Sequence, residues 1–357
     1  MLGIIMAGGQ GTRLMPLTQT RPKPMVEVLG RPVLDYVKDA MVEAGITNIV
    51  VTTGYRGEQL IDHVAGWCKD GSNELPVNAR VNQESTPMGT AGSVGLLRDE
   101  IKGTCVVGSG DAVASFDISA LLQVHRANNA KVTMALWEVD DPSEFGIVGL
   151  SSSPGGQVNG ELREGFIQQF MEKPAPEEAF SNVINAGLYI LEPEVFEHIP
   201  IGEKFDFSKQ LFPHLLAMGW PLYAKTIDGV WFDVGQPSEL LVAQQTLMER
   251  YEELPFAYPS DYTVQGTSLV ATSATLNADA ISSVIGREAT VHHEATVEGS
   301  IIMDGCVVGS GTVVKNSILG RNVVIGSGAT VLECVLGDNV CLEDSAHFED
   351  VRISSDS

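Results

Sequence analysis

The chain has 357 residues, 44% of them hydrophobic, and sets 46 acidic side chains against 22 Lys and Arg for a net charge of −24. That balance argues against a nucleic-acid track, which wants the opposite sign, and no apolar run reaches the roughly 20 residues of a membrane helix, so neither a nucleic acid nor a membrane is an expected partner. The length exceeds what one core usually holds, so two domains are expected. The five cysteines are widely spaced, odd in number and free of any CxxC pair, which fits reduced packing residues in a cytoplasmic protein better than a disulfide frame or a zinc site.

Met1 to Ala7 is apolar, lacks a basic leader and is too short for a secretory signal; it reads as the first strand, and no export is expected. It runs into the bare turn AGGQGTR, Ala7 to Arg13, followed by Lys23. Such a turn lets backbone N–H groups close on a polyphosphate, while Arg13 and Lys23 supply countercharge. In so acidic a chain, the few cations plus any Mg²⁺ must be concentrated where an anionic substrate sits. The turn lacks the third glycine of the dinucleotide fingerprint, so a simple Rossmann reading is weak and a nucleotide-using enzyme is the better one.

Further strands are expected at Asn48 to Gly54, Asn78 to Gln83, Thr104 to Asp111 and Lys131 to Val139. Helical spacing is seen at Pro32 to Ala44, Gly57 to Trp67, Ala91 to Asp99 and Ile118 to Asn128. The alternation predicts an α/β fold, a Rossmann-like, mostly parallel sheet with helices on both faces and with ligands beyond the carboxyl ends of its strands. The turn after the first strand and the turn holding Asp111 both lie there.

A last helical run from Pro237 reaches about Tyr251, and the proline-broken segment Glu253 to Tyr262 marks a boundary. The expected division is 1–250, a linker at 251–263, and a second domain at 264–357. In that second part aliphatic residues recur at steps of six, six and five: Ile285, Val291, Val297, Ile302, Val308, Val314, Leu319, Ile325, Val331, Leu336, Leu342. A period of 17 with small residues at the corners predicts a hexapeptide-repeat β-helix of three short strands per coil. Its open edges predict contacts between copies, hence a homo-oligomer.

AGGxGTRLxPLT with a following KP pair resembles the signature of the sugar-1-phosphate nucleotidyltransferases. GTAG at Gly89 to Gly92, GD at Gly110 to Asp111, FG at Phe145 to Gly146, MEKP at Met171 to Pro174, NAGLYI at Asn185 to Ile190 and WFDVGQP at Trp231 to Pro237 extend the resemblance in order across nearly the entire chain. It implies a catalytic domain over 1–250, a left-handed β-helix after it, and attack by a sugar phosphate oxygen on the α-phosphorus of a nucleoside triphosphate with loss of pyrophosphate. It implies nucleotide contacts from Ala7, Gly8, Gly9, Gly11, Thr12, Gly89 and Thr90, with Gly8 beside the base. It implies sugar-phosphate contacts from Gly146, Glu172, Lys173 and Asn185. Arg13 holds the β and γ phosphates on this reading, and Lys23 sits on the α side; with Asp111 they form the expected catalytic set. Asp111 and Asp233, each at a strand end, are the expected ligands of Mg²⁺. Glu172 and Lys173 are neighbours, and in a strand they would face opposite ways unless a bulge intervenes.

Relatives that use uridine or thymidine triphosphate commonly carry a Gln five residues before the glycine of the GTAG-like turn; here that position is Glu84, beside Gln83. A carboxylate only accepts, matching the N1–H and N2–H₂ of guanine, whereas uracil or thymine offers a carbonyl that needs a donor. GTP is therefore the expected donor, and mannose 1-phosphate the expected acceptor. A uridylyl-, thymidylyl- or adenylyltransferase acting on glucose 1-phosphate stays open if Gln83 turns in, as does a non-catalytic subunit that senses nucleotide or sugar. Ser109 stands where the family commonly has Asn. An acyltransferase in the coils, using His292 or His293, is disfavoured because the two are adjacent in an early coil and little chain follows Phe348 to build an acyl-donor site.

Overall fold

The computed structural model describes residues 1–54, 57–68 and 76–355. By contact the chain forms two compact units, Met1–Gly9 with Leu34–Trp231, and Gln10–Val33 with Phe232–Ser357. The second grouping joins an early segment to the C-terminal part, which chain order does not reveal.

The first unit is built on nine strands: β1 (Leu2–Met6), β2 (Asn48–Thr53), β3 (Asn78–Gln83), β4 (Cys105–Ser109), β5 (Val132–Glu138), β6 (Gly146–Ser151), β7 (Glu164–Glu172), β8 (Val183–Leu191) and β9 (Leu222–Thr226). Their order is β3-β2-β1-β4-β8-β5-β9-β7-β6. The first four are parallel, and their register brings Met6 level with Thr52 and Ser109, and Thr53 level with Gln83. Their carboxyl ends therefore share one edge. β8 enters antiparallel to both β4 and β5, so the sheet is mixed beyond β4.

Alternation along β1 sends Ile4 to one face, where it packs with Val50, Val107 and with Ala91 and Val94 of the helix Gly89–Gly95. On the other face, Cβ atoms at Gly3 and Gly108 would lie 2.8 Å from Met41 Sδ and 2.6 Å from Val37 Cγ1, both on α1 (Leu34–Glu43). The sheet thus has helices on both faces, and bare strand positions let α1 lie close. The helix expected at Ala91 to Asp99 runs instead from Gly89 to Gly95, with turns after it. No helix among the described residues is long and apolar enough to cross a membrane.

In the second unit the coils form three parallel sheets of short strands. Ten of the eleven predicted ladder residues, Ile285 through Leu336, are buried, and Leu342 in the last coil is half-buried because only part of a coil covers it. Ser283, Ser300 and Ser317 stack at one corner, each hydroxyl accepting the backbone N–H of the residue 17 positions on. The 17-residue period misses the first coil: Leu269 and Val270 pair with Val284 and Ile285, a step two residues shorter, and that coil is opened by a hairpin of Tyr262–Gln265 against Ser268–Ala271.

Candidate functional site

In the first unit the glycine turn leaves the carboxyl end of β1. Ala7 N–H donates to Thr52 O at 2.8 Å, Glu84 N–H to Thr53 O at 2.7 Å and Gly110 N–H to Met6 O at 2.9 Å, tying the three turns to one edge. Gly8 and Gly9 are exposed there. Glu84 lies directly beside Gly8: a Cβ on Gly8 would be 3.7 Å from Glu84 Oε1, and one on Gly54 3.2 Å from it. Glu84 Oε2 is shut off from solvent and has no hydrogen-bond partner among the described residues. Gln83 goes the other way, its amide packing against Gly57 of the helix Gly57–Trp67. The one-residue ambiguity in the sequence is thereby resolved, since neighbouring strand side chains take opposite faces.

Gly89 is in the left-handed region (φ 74°), and a Cβ there would stand 2.6 Å from Phe205 O, so only glycine fits. The Thr90 hydroxyl is already engaged, donating to Asp206 Oδ2 at 2.9 Å and accepting from Phe207 N–H at 2.9 Å. Asp111 follows β4 and accepts from the Ser109 hydroxyl, so Ser109 orients the carboxylate that follows it.

Gly146, Glu172 and Asn185 line one cleft of about 460 Å³, together with Phe145, Ser208 and Lys209. Asn185 sits where β8 breaks register against β5. Its amide donates to Tyr189 Oη at 2.8 Å and Ser208 Oγ at 3.1 Å, and its oxygen accepts Gly187 N–H at 2.9 Å. Burial pushes the Tyr189 phenol up to about 12, so it remains a neutral hydroxyl in this network. Lys173 adopts a left-handed backbone (φ 45°) just past the end of β7, which breaks the strand alternation, and its ammonium reaches Glu144 at 3.0 Å. Ser208 and Lys209 were not expected from the sequence; they ride on a short π-helical segment, Phe207–Leu211, that no local pattern announces.

In the second unit Gly11 (φ 65°) folds the loop back on itself, so that a Cβ there would be 2.9 Å from Lys23 Cβ, and Thr18 Oγ1 donates to Gly11 O at 2.7 Å. Thr12 is exposed at the start of the following turn. Lys23 is buried (8% exposed) and its ammonium lies 3.0 Å from Asp233 Oδ1. The Arg13 guanidinium lies by Gly235, where a Cβ would stand 2.9 Å from its Nη2, so the missing side chain makes room for it. Arg13, Lys23 and Asp233, far apart in sequence, thus occupy one unit with the glycine of the WFDVGQP motif.

A glycine turn at a parallel sheet edge with two cations on its continuation is an arrangement for handling polyphosphate. The chain matches the model of the nucleotidyl transferase family over residues 2–250, and that of the GMPPB C-terminal domain over residues 261–356. The chain belongs to the nucleotidyl transferase family. Among curated relatives of this nucleotidyl transferase is a probable mannose-1-phosphate guanylyltransferase 3 of rice, 29% identical over 90% of this chain and 86% of that one. The mannose-1-phosphate guanyltransferase of Saccharomyces cerevisiae is 36% identical over 68% of this chain and 63% of its own length. The mannose-1-phosphate guanylyltransferase catalytic subunit beta of Drosophila pseudoobscura pseudoobscura is 32% identical over 76% and 70%.

Among the described residues no cluster of three or more His, Cys, Asp or Glu could enclose a metal ion. A nucleotidyl transferase has no need of such a cage: a hard cation that arrives with a triphosphate takes most of its ligands from phosphate and water and only one or two carboxylates from the protein. Asp111, set by Ser109 in the first unit, and Asp233, half-buried beside Lys23 in the second, each carry hard oxygen donors of the kind such a cation takes.

Proposed function

We propose that this nucleotidyl transferase is a sugar-1-phosphate nucleotidyltransferase that moves a guanylyl group from GTP to mannose 1-phosphate, giving GDP-mannose and pyrophosphate. The observation that carries the choice of base is Glu84, a carboxylate beside Gly8 with one oxygen out of solvent and unpartnered. Guanine presents two adjacent donors, N1–H and N2–H₂, that satisfy a carboxylate; uracil or thymine would set a carbonyl against it, at a cost of about 1–3 kcal/mol for the unsatisfied group. The choice of sugar is supported by the names of the relatives and by a cleft holding Glu172, whose carboxylate suits hydroxyls, beside Asn185.

Gly8, Gly9 and Gly11 let the main chain approach the nucleotide. Arg13 spreads its planar charge over the β and γ phosphates and stabilises the departing pyrophosphate. Lys23 neutralises the α-phosphate as the sugar phosphate oxygen attacks it, which lowers the repulsion between two polyanions. Mg²⁺, with Asp111 and Asp233 as its proposed ligands, supplies further charge neutralisation when bound. Gly146, Glu172 and Asn185 bind the sugar phosphate, and Lys173 exchanges Glu144 for its phosphate. Pyrophosphate release is to be measured for four nucleoside triphosphates against several hexose 1-phosphates, with GTP and mannose 1-phosphate fastest. Faster release with UTP or dTTP than with GTP would refute the assignment.

A further inference from the structure

Three charged residues of the segment Gln10–Val33 are buried: Arg21 at 2% exposure, Lys23 at 8% and Glu27 at 6%. A buried charge must be paired. Lys23 meets Asp233, but the partners of the other two come from the β-helix: Arg21 makes a two-toothed ion pair with Asp338, and Glu27 pairs with Arg321. Thr20 Oγ1 adds a hydrogen bond to Asp338 Oδ2 at 2.6 Å, and Arg352 donates from Nη1 to the carbonyl oxygen of Arg13 at 2.8 Å.

These β-helix residues are not scattered. Residues 287, 304, 321 and 338 occupy one register of successive coils and read Arg, Asp, Arg, Asp, an alternating-charge stripe in which Asp304 Oδ1 and Asp338 Oδ1 each accept the backbone N–H of the arginine one coil earlier, 17 residues back. The same edge offers Gly337, where a Cβ would come within 3.0 Å of Pro16. The facing segment has three-residue 3₁₀ turns at Thr12–Leu14, Leu17–Gln19 and Lys23–Met25 and one short hairpin, Glu27–Val28 against Arg31–Pro32, and no helix or strand longer than these to hold it by itself. Pro22, one residue from Arg21, passes the anchor stiffly on to Lys23.

We propose that this stripe, with Asp338 at its C-terminal end and Arg352 beyond it, is a positioning device of the β-helix that sets the phosphate-handling residues Arg13 and Lys23. Asp338, Arg321 and Arg352 touch no reacting atom; they act through Arg21, Glu27 and the Arg13 carbonyl. The inference rests on the reading of Arg13 and Lys23 given above, and it adds that the coils take part in turnover as well as in packing.

The test uses the full-length protein. Asp338→Asn removes the charge that Arg21 needs while keeping an oxygen for Arg321 N–H, and Arg352→Ala removes an exposed side chain that the coil itself does not need. Each is expected to lower kcat/KM for GTP by about 10- to 100-fold, the scale of a small misplacement of a catalytic group, with KM for mannose 1-phosphate little changed. Asp338→Glu should recover part of the loss, and Lys315→Ala, on another sheet of the coil, should behave as wild type. Amide hydrogen exchange across residues 10–33 should be faster in both loss variants. Wild-type kcat/KM in Arg352→Ala and in folded Asp338→Asn would overturn the positioning role even if exchange were faster. The two readings fail separately: a wild-type protein that turns over no triphosphate would refute the function, while unchanged exchange would refute the anchoring whatever the activity.

Discussion

At the scale of single residues, the proposed choice of base rests on one carboxylate. Glu84→Gln keeps the shape and supplies an amide donor, so kcat/KM for GTP should fall by about 10- to 100-fold and that for UTP should rise, as measured by pyrophosphate release under identical conditions. An unchanged ratio of the two would remove Glu84 from base selection. The identity of this residue was legible in the sequence, because its place before the GTAG turn is a matter of counting. Its direction was not: Gln83 and Glu84 exchange faces on a slip of one, and the pairing of β2 with β3 decides which of them meets Gly8. Lys173 shows the same limit. Only a left-handed backbone at the strand end tells that it points to Glu144 while Glu172 lines the cleft.

At the scale of elements, the coil ladder is the most predictable part of the molecule, since a six-residue step with an inward aliphatic leaves one way to bury it. Leu319 is fully buried in the middle of that ladder. Leu319→Ala should cost about 2–5 kcal/mol, read as a lowered midpoint in urea unfolding of the second unit, because its neighbours above and below cannot close the space. In the first unit the helix Ile118–Ala127 carries His125, buried between Thr133 Oγ1 at 2.8 Å and Glu192 Oε1 at 3.1 Å. Burial is the main cause that holds its pKa below 6.5, partly offset by Glu192. The unfolded chain then binds a proton that the folded one refuses, so this group makes the fold less stable as pH falls from above 6.5 toward the depressed native value. His125→Asn should flatten the fall of the melting temperature between about pH 7 and pH 5. An equally steep fall in that variant would assign the effect to other groups. The segment Gln10–Val33 was the least legible element: its motif names Arg13 and Lys23, but nothing local says that its three buried charges find partners more than 200 residues away, at separations of 210, 294 and 317 positions.

At the scale of the whole molecule, a net charge of −24 on 357 residues stores self-repulsion that salt screens over a Debye length of about 10 Å at 0.1 M. The melting temperature should therefore rise between about 0.1 and 1 M KCl, and a fall over that range would show that specific ion pairs such as Arg21 with Asp338 outweigh the general repulsion. Strand and helix alternation, the glycine turn, the family motifs and the coil period were all determined by the sequence alone, because each is a local pattern of spacing that the backbone can satisfy in one way. Which side chains share a unit was decided only by tertiary structure. Lys23 meets Asp233, and Arg21 finds Asp338, through contacts between distant segments whose charges must be paired once they are out of water, and no local spacing encodes that partnership.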